Sequence, residues 1–197
     1  MFILSFIIAY LIGSVSFSYL MTKKIKKVDI RKYGSGNAGA TNTLRVLGVG
    51  PAICVLLLDV LKGVVVILLA RAMHLEPWAV AATGLIAIIG HNFPIFYGFK
   101  GGKGVATTIG VFATLSFLPT LIAAIIAIII ILITRFVSLG SLVLIILTPI
   151  ISWLLGSFPL SYIYIDVLIV LLALWQHRAN IKRLIRGEEN KLGKKGA

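Results

Sequence analysis

The sequence predicts an all-α polytopic membrane protein of seven transmembrane helices, with the N-terminus outside and the C-terminus cytoplasmic. Three observations predict it. Apolar residues make up 59% of 197 and charged residues only 13%, with a mean hydropathy of +1.07. Soluble domains carry about half apolar and about a quarter charged residues. Whole segments such as Pro119 to Thr134 and Leu142 to Phe158 hold no charge, which suits passage through hydrocarbon. Finally, Lys and Arg collect in alternate connections, as cytoplasmic loops require. A single membrane-embedded domain over residues 1–197 is expected, with a basic cytoplasmic tail from about 178.

Apolar segments fall near 2–22, 51–72, 78–97, 105–118, 119–134, 139–155 and 160–177. The first lacks a basic n-region, so it is read as a retained span rather than a cleaved signal. Trp78, Trp153 and tyrosines near span ends suit an interfacial belt. Asp59 and Lys62, three residues apart in the second segment, can form an ion pair that makes embedded charge tolerable. The stretch from Val105 to Thr134 is ambiguous, because one helix of that length would reach about 45 Å across a core of about 30 Å. Leu118-Pro119 divides it into two short passes or marks a re-entrant segment.

Parity orients the chain. With an even number of passes between 105 and 134, the 23–48 loop carries seven Lys/Arg on the same side as 98–104, Arg135 and the tail. Of nineteen basic residues only Arg71 then lies outside. The loops 23–48, 98–104, 135–141 and 178–189 therefore share the cytoplasmic face.

Those loops hold the polar residues. In "YGSGNAGATNTLR", Tyr33 to Arg45, glycines permit close backbone approach while Ser35, Asn37, Thr41 and Asn42 offer uncharged donors. Arg45 adds a forked cation suited to phosphate or carboxylate. In "YGFKGGKGVATT", Lys100 and Lys103 frame Gly101-Gly102, and Gly104 opens an apolar helix, a combination suited to anions. It is no Walker A loop: Gly98 to Lys103 is one residue short, and glycine follows the lysine. "GHNFPIFYG" puts His91 and Asn92 late in the third span. In "HRANIKRLIRGEE", His177 and Asn180 share a helical face, while Arg178, Lys182, Arg183 and Arg186 suit lipid headgroups. "RFVSLGS" brings Ser138 and Ser141 to the same surface, as helix-start caps or as site hydroxyls.

The net charge of +13 fits anionic lipids and phosphorylated substrates at a membrane better than nucleic acid, and no nucleic-acid partner is expected. One cysteine makes neither a disulfide nor a thiolate cluster, and no group has zinc spacing; no cofactor or metal is expected. No HxxxxD motif follows His91 or His177, which removes the His–Asp dyad of many glycerolipid acyltransferases.

Five segments in order, "GSGNAGATNTLR", "LDVLKG", "GHNFPIFYGFKGGKGVAT", "RFVSLGS" and "HRANIKRLIRGEE", cover residues 34 to 189. Together they resemble the bacterial acyl-phosphate-dependent glycerol-3-phosphate acyltransferase family of the plasma membrane. The resemblance implies acyl transfer from acyl phosphate to the 1-hydroxyl of glycerol 3-phosphate, releasing lysophosphatidic acid and phosphate, on a seven-helix fold with a cytoplasmic active site. On that footing Ser35, Gly36, Asn37, Thr41 and Asn42 would cradle the leaving phosphate. Arg45, Lys103, His177 and Asn180 would hold glycerol 3-phosphate, with Gly102, Gly104 and Ser141 also at the substrates. Ser35, His177 and Asn180 are the expected catalytic residues, and the proton passes either to the acyl phosphate itself or to His177 or His91. The other reading, a small transporter or channel for a phosphorylated metabolite, asks for polar residues continuing to the outer face. Little is there beyond Arg71, His74, Glu76 and Asp166.

Overall fold

The computed structural model describes residues 1–156 and 158–193; the last residues of the basic tail lie outside them. Among the described residues the regular structure is helical: α1 (Phe2–Ser14), α2 (Phe17–Lys26), α3 (Ala40–Leu47), α4 (Val49–Ala72) and α5 (Pro77–Asn92) come first. They are followed by α6 (Val105–Leu115), α7 (Phe117–Thr134), α8 (Val137–Leu155), α9 (Leu160–Gln176) and α10 (Arg178–Ile185). Five stretches are long and apolar enough to cross a membrane, and six if α9 and α10, bent by 63°, count as one.

Two helix breaks shape the interior. The first apolar segment is divided at Val15-Ser16, where extended backbone interrupts α1 and the Ser16 hydroxyl accepts the Tyr19 N–H at 3.4 Å. That break frees the Gly13 and Val15 carbonyls, which no longer bond within a helix. The second lies at Ser116 (φ −145°, ψ 78°), which separates α6 from α7. The sequence pointed to Leu118-Pro119, but Pro119 sits in the first turn of α7, where its missing N–H costs nothing. Both Val105 and Val137 line the same cavity, so the chain leaves along α6 and returns along α7. With eleven residues, α6 is about 16 Å long, against about 30 Å of hydrocarbon.

Helices meet through small residues, because apolar side chains gain little from leaving lipid for one another. A Cβ at Gly63 of α4 would sit 2.4 Å from the Thr107 carbonyl oxygen, and one at Gly110 of α6 would sit 2.0 Å from that of Val60. The two backbones therefore touch. Val66, Ile67, Val111, Phe112 and Ile145 fill the centre of the bundle. Ile125, Ile128 and Leu132 of α7 are exposed, as a lipid-facing surface requires.

Candidate active site

The four basic connections converge on one cavity of about 350 Å³. It is walled by the 35–42 segment and Arg45, by Lys103 to Ala106, by Ser138 and Ser141 at the start of α8, and by His177, Asn180, Arg183 and Glu189. Of the residues expected at the site from sequence, Gly102 alone is not on the wall.

The glycine-rich stretch is only half a loop. Gly39, in extended backbone, starts α3, and its carbonyl accepts the N–H groups of Asn42 and Thr43. Thr41, Asn42 and Arg45 thus ride on a helix. Asn42 is fully buried, and its amide is spent on the turn before it: Nδ2 donates to the carbonyls of Ile30 (3.3 Å) and Tyr33 (3.0 Å), while Oδ1 accepts the Ser35 N–H at 2.8 Å. Gly34 closes that turn at φ +60°, where a Cβ would lie 2.2 Å from Asn42 Oδ1, so only glycine fits. Asn42 shapes the cradle. Ser35 and Gly36, exposed, and Thr41, half-buried, face the cavity.

The second loop is clipped onto the end of α5. The Gly101 and Gly102 N–H groups donate to the carbonyls of Asn92 and His91, both at 3.2 Å. Their donors are therefore used within the protein, and the cation that this loop presents to the cavity is Lys103. The Lys103 ammonium donates to Asn180 Oδ1. Burial draws its pKa down to about 8; Glu189 opposes this, while Arg183 and Arg45 add to it. Arg45 is exposed and has no hydrogen bond or ion pair with any described residue, which leaves its guanidinium free for a ligand.

At the end of α9 the His177 Nδ1 lies 2.9 Å from the Ala173 carbonyl oxygen. A carbonyl only accepts, so Nδ1 carries the proton and Nε2 keeps its lone pair. His177 is 2% exposed and lines the cavity. Asn180 donates to Glu189 Oε1 at 2.7 Å, Ser138 donates to the same oxygen at 3.0 Å, and Arg183 donates to Oε2 at 2.8 Å. Glu189 thereby ties α8 and α10 together with a side chain only 5% exposed. It was not among the residues expected from sequence. The available signal was an acidic residue inside a tail of cations, which is easily read as surface charge. Ser141 donates back to the Val137 carbonyl at 2.8 Å, so neither serine caps the helix start.

The wall also includes Asp59 and His91. The Asp59–Lys62 pair foreseen from its spacing is present at 2.9 Å and buried. The charges of Asp59 and Lys62 answer each other rather than a ligand, and Lys62 is not on the wall. What faces a ligand is an unpaired guanidinium, an ammonium, hydroxyls and one imidazole lone pair, an arrangement suited to phosphate beside a hydroxyl.

The Lys103 pKa sets a pH limit. As pH rises through about 8 the free protein loses this charge, so capture of a phosphate monoester should weaken in step. The kcat/KM for glycerol 3-phosphate is expected to fall above that pH, and Lys103→Arg to remove the fall. A wild-type profile that stays flat there would contradict the assignment.

The sequence model of a family described as glycerol-3-phosphate acyltransferase matches residues 3–187. A glycerol-3-phosphate acyltransferase of Shouchella clausii (strain KSM-K16) is 62% identical over 193 residues, covering 95% of this chain and 94% of that protein. One from Halalkalibacterium halodurans is 57% identical over 194 residues, covering 95% and 93%. The crystal structure of PlsY (YgiH), an integral membrane glycerol 3-phosphate acyltransferase, in its glycerol 3-phosphate form superposes with a TM-score of 0.91. That chain is 38% identical, with 98% of this chain and 96% of the other covered. Its lysophosphatidic acid form gives a TM-score of 0.89 at 36% identity, with 98% and 95% covered.

Proposed function

The chain belongs to the glycerol-3-phosphate acyltransferase family, and from that premise we propose that it transfers a fatty acyl group from acyl phosphate to the 1-hydroxyl of glycerol 3-phosphate. The products are lysophosphatidic acid and inorganic phosphate, in phospholipid biosynthesis. One observation carries the reading: four separate basic connections close on a single cavity that joins a hydroxyl-lined turn, two cations and an imidazole lone pair.

Glycerol 3-phosphate binds by its phosphate to Arg45 and Lys103, with Asn180 steering the lysine. The acyl phosphate lies along Ser35, Gly36 and Thr41, with its tail between helices. The glycerol hydroxyl oxygen then attacks the carbonyl carbon, and the bond from that carbon to the phosphate oxygen breaks. His177 Nε2 takes the hydroxyl proton as the bond to carbon forms and passes it to the departing phosphate. An acyl phosphate is already a mixed anhydride, so positioning and charge stabilisation supply most of the rate.

The topology we favour has seven passes, one membrane-embedded domain and a cytoplasmic active site in the bacterial plasma membrane. Support comes from the even parity between Val105 and Val137 and from the basic connections 23–48, 98–104, 135–141 and 178–189, which that parity puts on one side and the positive-inside rule assigns to the cytoplasm. In this arrangement α6 makes the short fourth pass.

The test is donor choice. Purified protein is given glycerol 3-phosphate with acyl phosphate, acyl-CoA or acyl-carrier protein in separate reactions. Lysophosphatidic acid is expected with acyl phosphate, and its absence there refutes the reading.

A further inference from the structure

A second histidine on the same wall has the opposite proton arrangement. Lys62 is 4% exposed, and its ammonium donates to the carbonyls freed by the break in α1, Gly13 and Val15, each at 3.0 Å. It also stands 2.8 Å from His91 Nδ1 and pairs with Asp59 at 2.9 Å. An ammonium has donors only. His91 Nδ1 must therefore accept, which leaves the ring proton on Nε2. His91 is 6% exposed, and this Nε2–H makes no hydrogen bond to any described residue. That nitrogen is not sealed off inside the protein, and the cavity that His91 lines is where its partner would come from.

Gly102 locates that donor. A Cβ built there would fall 2.2 Å from His91 Nε2 and 2.6 Å from the Ala38 carbonyl oxygen. The imidazole edge thus lies in the seam between the 35–41 turn and the lysine loop. Gly102 is needed because any side chain would occupy that seam, which explains why it belongs to the motif without reaching the cavity.

We infer that His91 is a fixed N–H donor to the phosphoryl group of the acyl donor, held in its Nε2–H form by the buried Lys62–Asp59 pair. This rests on the acyl-phosphate reading above. As the bond from the acyl carbon to oxygen breaks, charge gathers on the departing phosphate, and His91 meets it with a hydrogen bond while keeping its proton. Lys62 and Asp59 are positioning residues: together they are neutral, so they set the tautomer without adding net charge to the site. The proton-accepting imidazole is His177, and the donating one is His91.

With three histidines in the chain, spectra of ¹⁵N-histidine-labelled protein in detergent can be assigned by single substitutions. The Nε2–H form is expected for His91 and the Nδ1–H form for His177. In turnover with acyl phosphate, His91→Phe should lower kcat about a hundredfold, with the KM for glycerol 3-phosphate little changed. His91→Gln, which returns an amide N–H near the same place, should recover part of the loss. A proton on Nδ1 of wild-type His91 overturns the inference, and so does a His91→Phe enzyme with wild-type kcat. A rise confined to the KM for glycerol 3-phosphate overturns it too, since the donor would then serve the other phosphate. The wild-type spectrum needs no substrate, and substituting His74 and His177 assigns His91 by elimination, without a His91 variant. Failure of wild-type protein to use acyl phosphate would refute the functional reading instead.

Discussion

Replacing His177 by alanine is expected to lower kcat by about a thousandfold, the scale of a lost proton acceptor in the transition state. The side chain is 2% exposed, its Nδ1–H is committed to the Ala173 carbonyl, and its free lone pair faces the cavity. No other imidazole can substitute, because His91 has its Nδ1 turned to Lys62. On the proposed reading other groups hold both phosphates, so the KM values should move little. Steady-state kinetics on a variant with an unchanged unfolding temperature provide the measurement. A loss of less than about tenfold would instead mean that the acyl phosphate takes the hydroxyl proton unaided.

Arg45→Ala is expected to raise the KM for glycerol 3-phosphate by about ten- to a hundredfold, as for one lost charge-assisted hydrogen bond. Arg45 is exposed and unpaired among the described residues, so its removal should leave stability untouched. That separates it from Lys103 and Glu189, whose side chains also hold the walls together. Arg45→Lys should restore only part of the affinity, because a point charge lacks the two-pronged geometry of guanidinium. Titration of initial rates with glycerol 3-phosphate decides it, and an unchanged KM would place the phosphate elsewhere.

The two histidines illustrate where sequence reading reaches its limit. Their presence near span ends was plain from "GHNFP" and "HRANIK", and both stood as candidate bases. Their roles separate only when the partner of each Nδ1 is known, an ammonium from α4 for one and a carbonyl one turn back for the other. The first partner lies 29 residues away in the chain, at a distance no local pattern encodes.

The polar turn shows the same division. Ser35, Asn37, Thr41 and Asn42 looked equivalent as uncharged donors, yet Asn42 is consumed by the Ile30 and Tyr33 carbonyls while Ser35 remains exposed. Hydrogen-bond capacity is allocated by geometry, so residue type alone could not rank them. Glu189 was invisible for a related reason. Its value lies in Ser138, Asn180 and Arg183 meeting at one carboxylate, whereas its sequence neighbourhood is that of an exposed tail.

By itself the sequence determined the helical membrane class, the approximate spans, and the gathering of chemistry into loops of one side. Hydropathy and charge act additively along the chain, so each segment carries its own answer. Only the tertiary structure decided that helix breaks fall at Ser16 and Ser116, that Lys62 answers the carbonyls freed by the first, and that Gly102 packs rather than binds. Those outcomes depend on which backbones approach closely enough to touch, and such contacts exist only once the helices have paired.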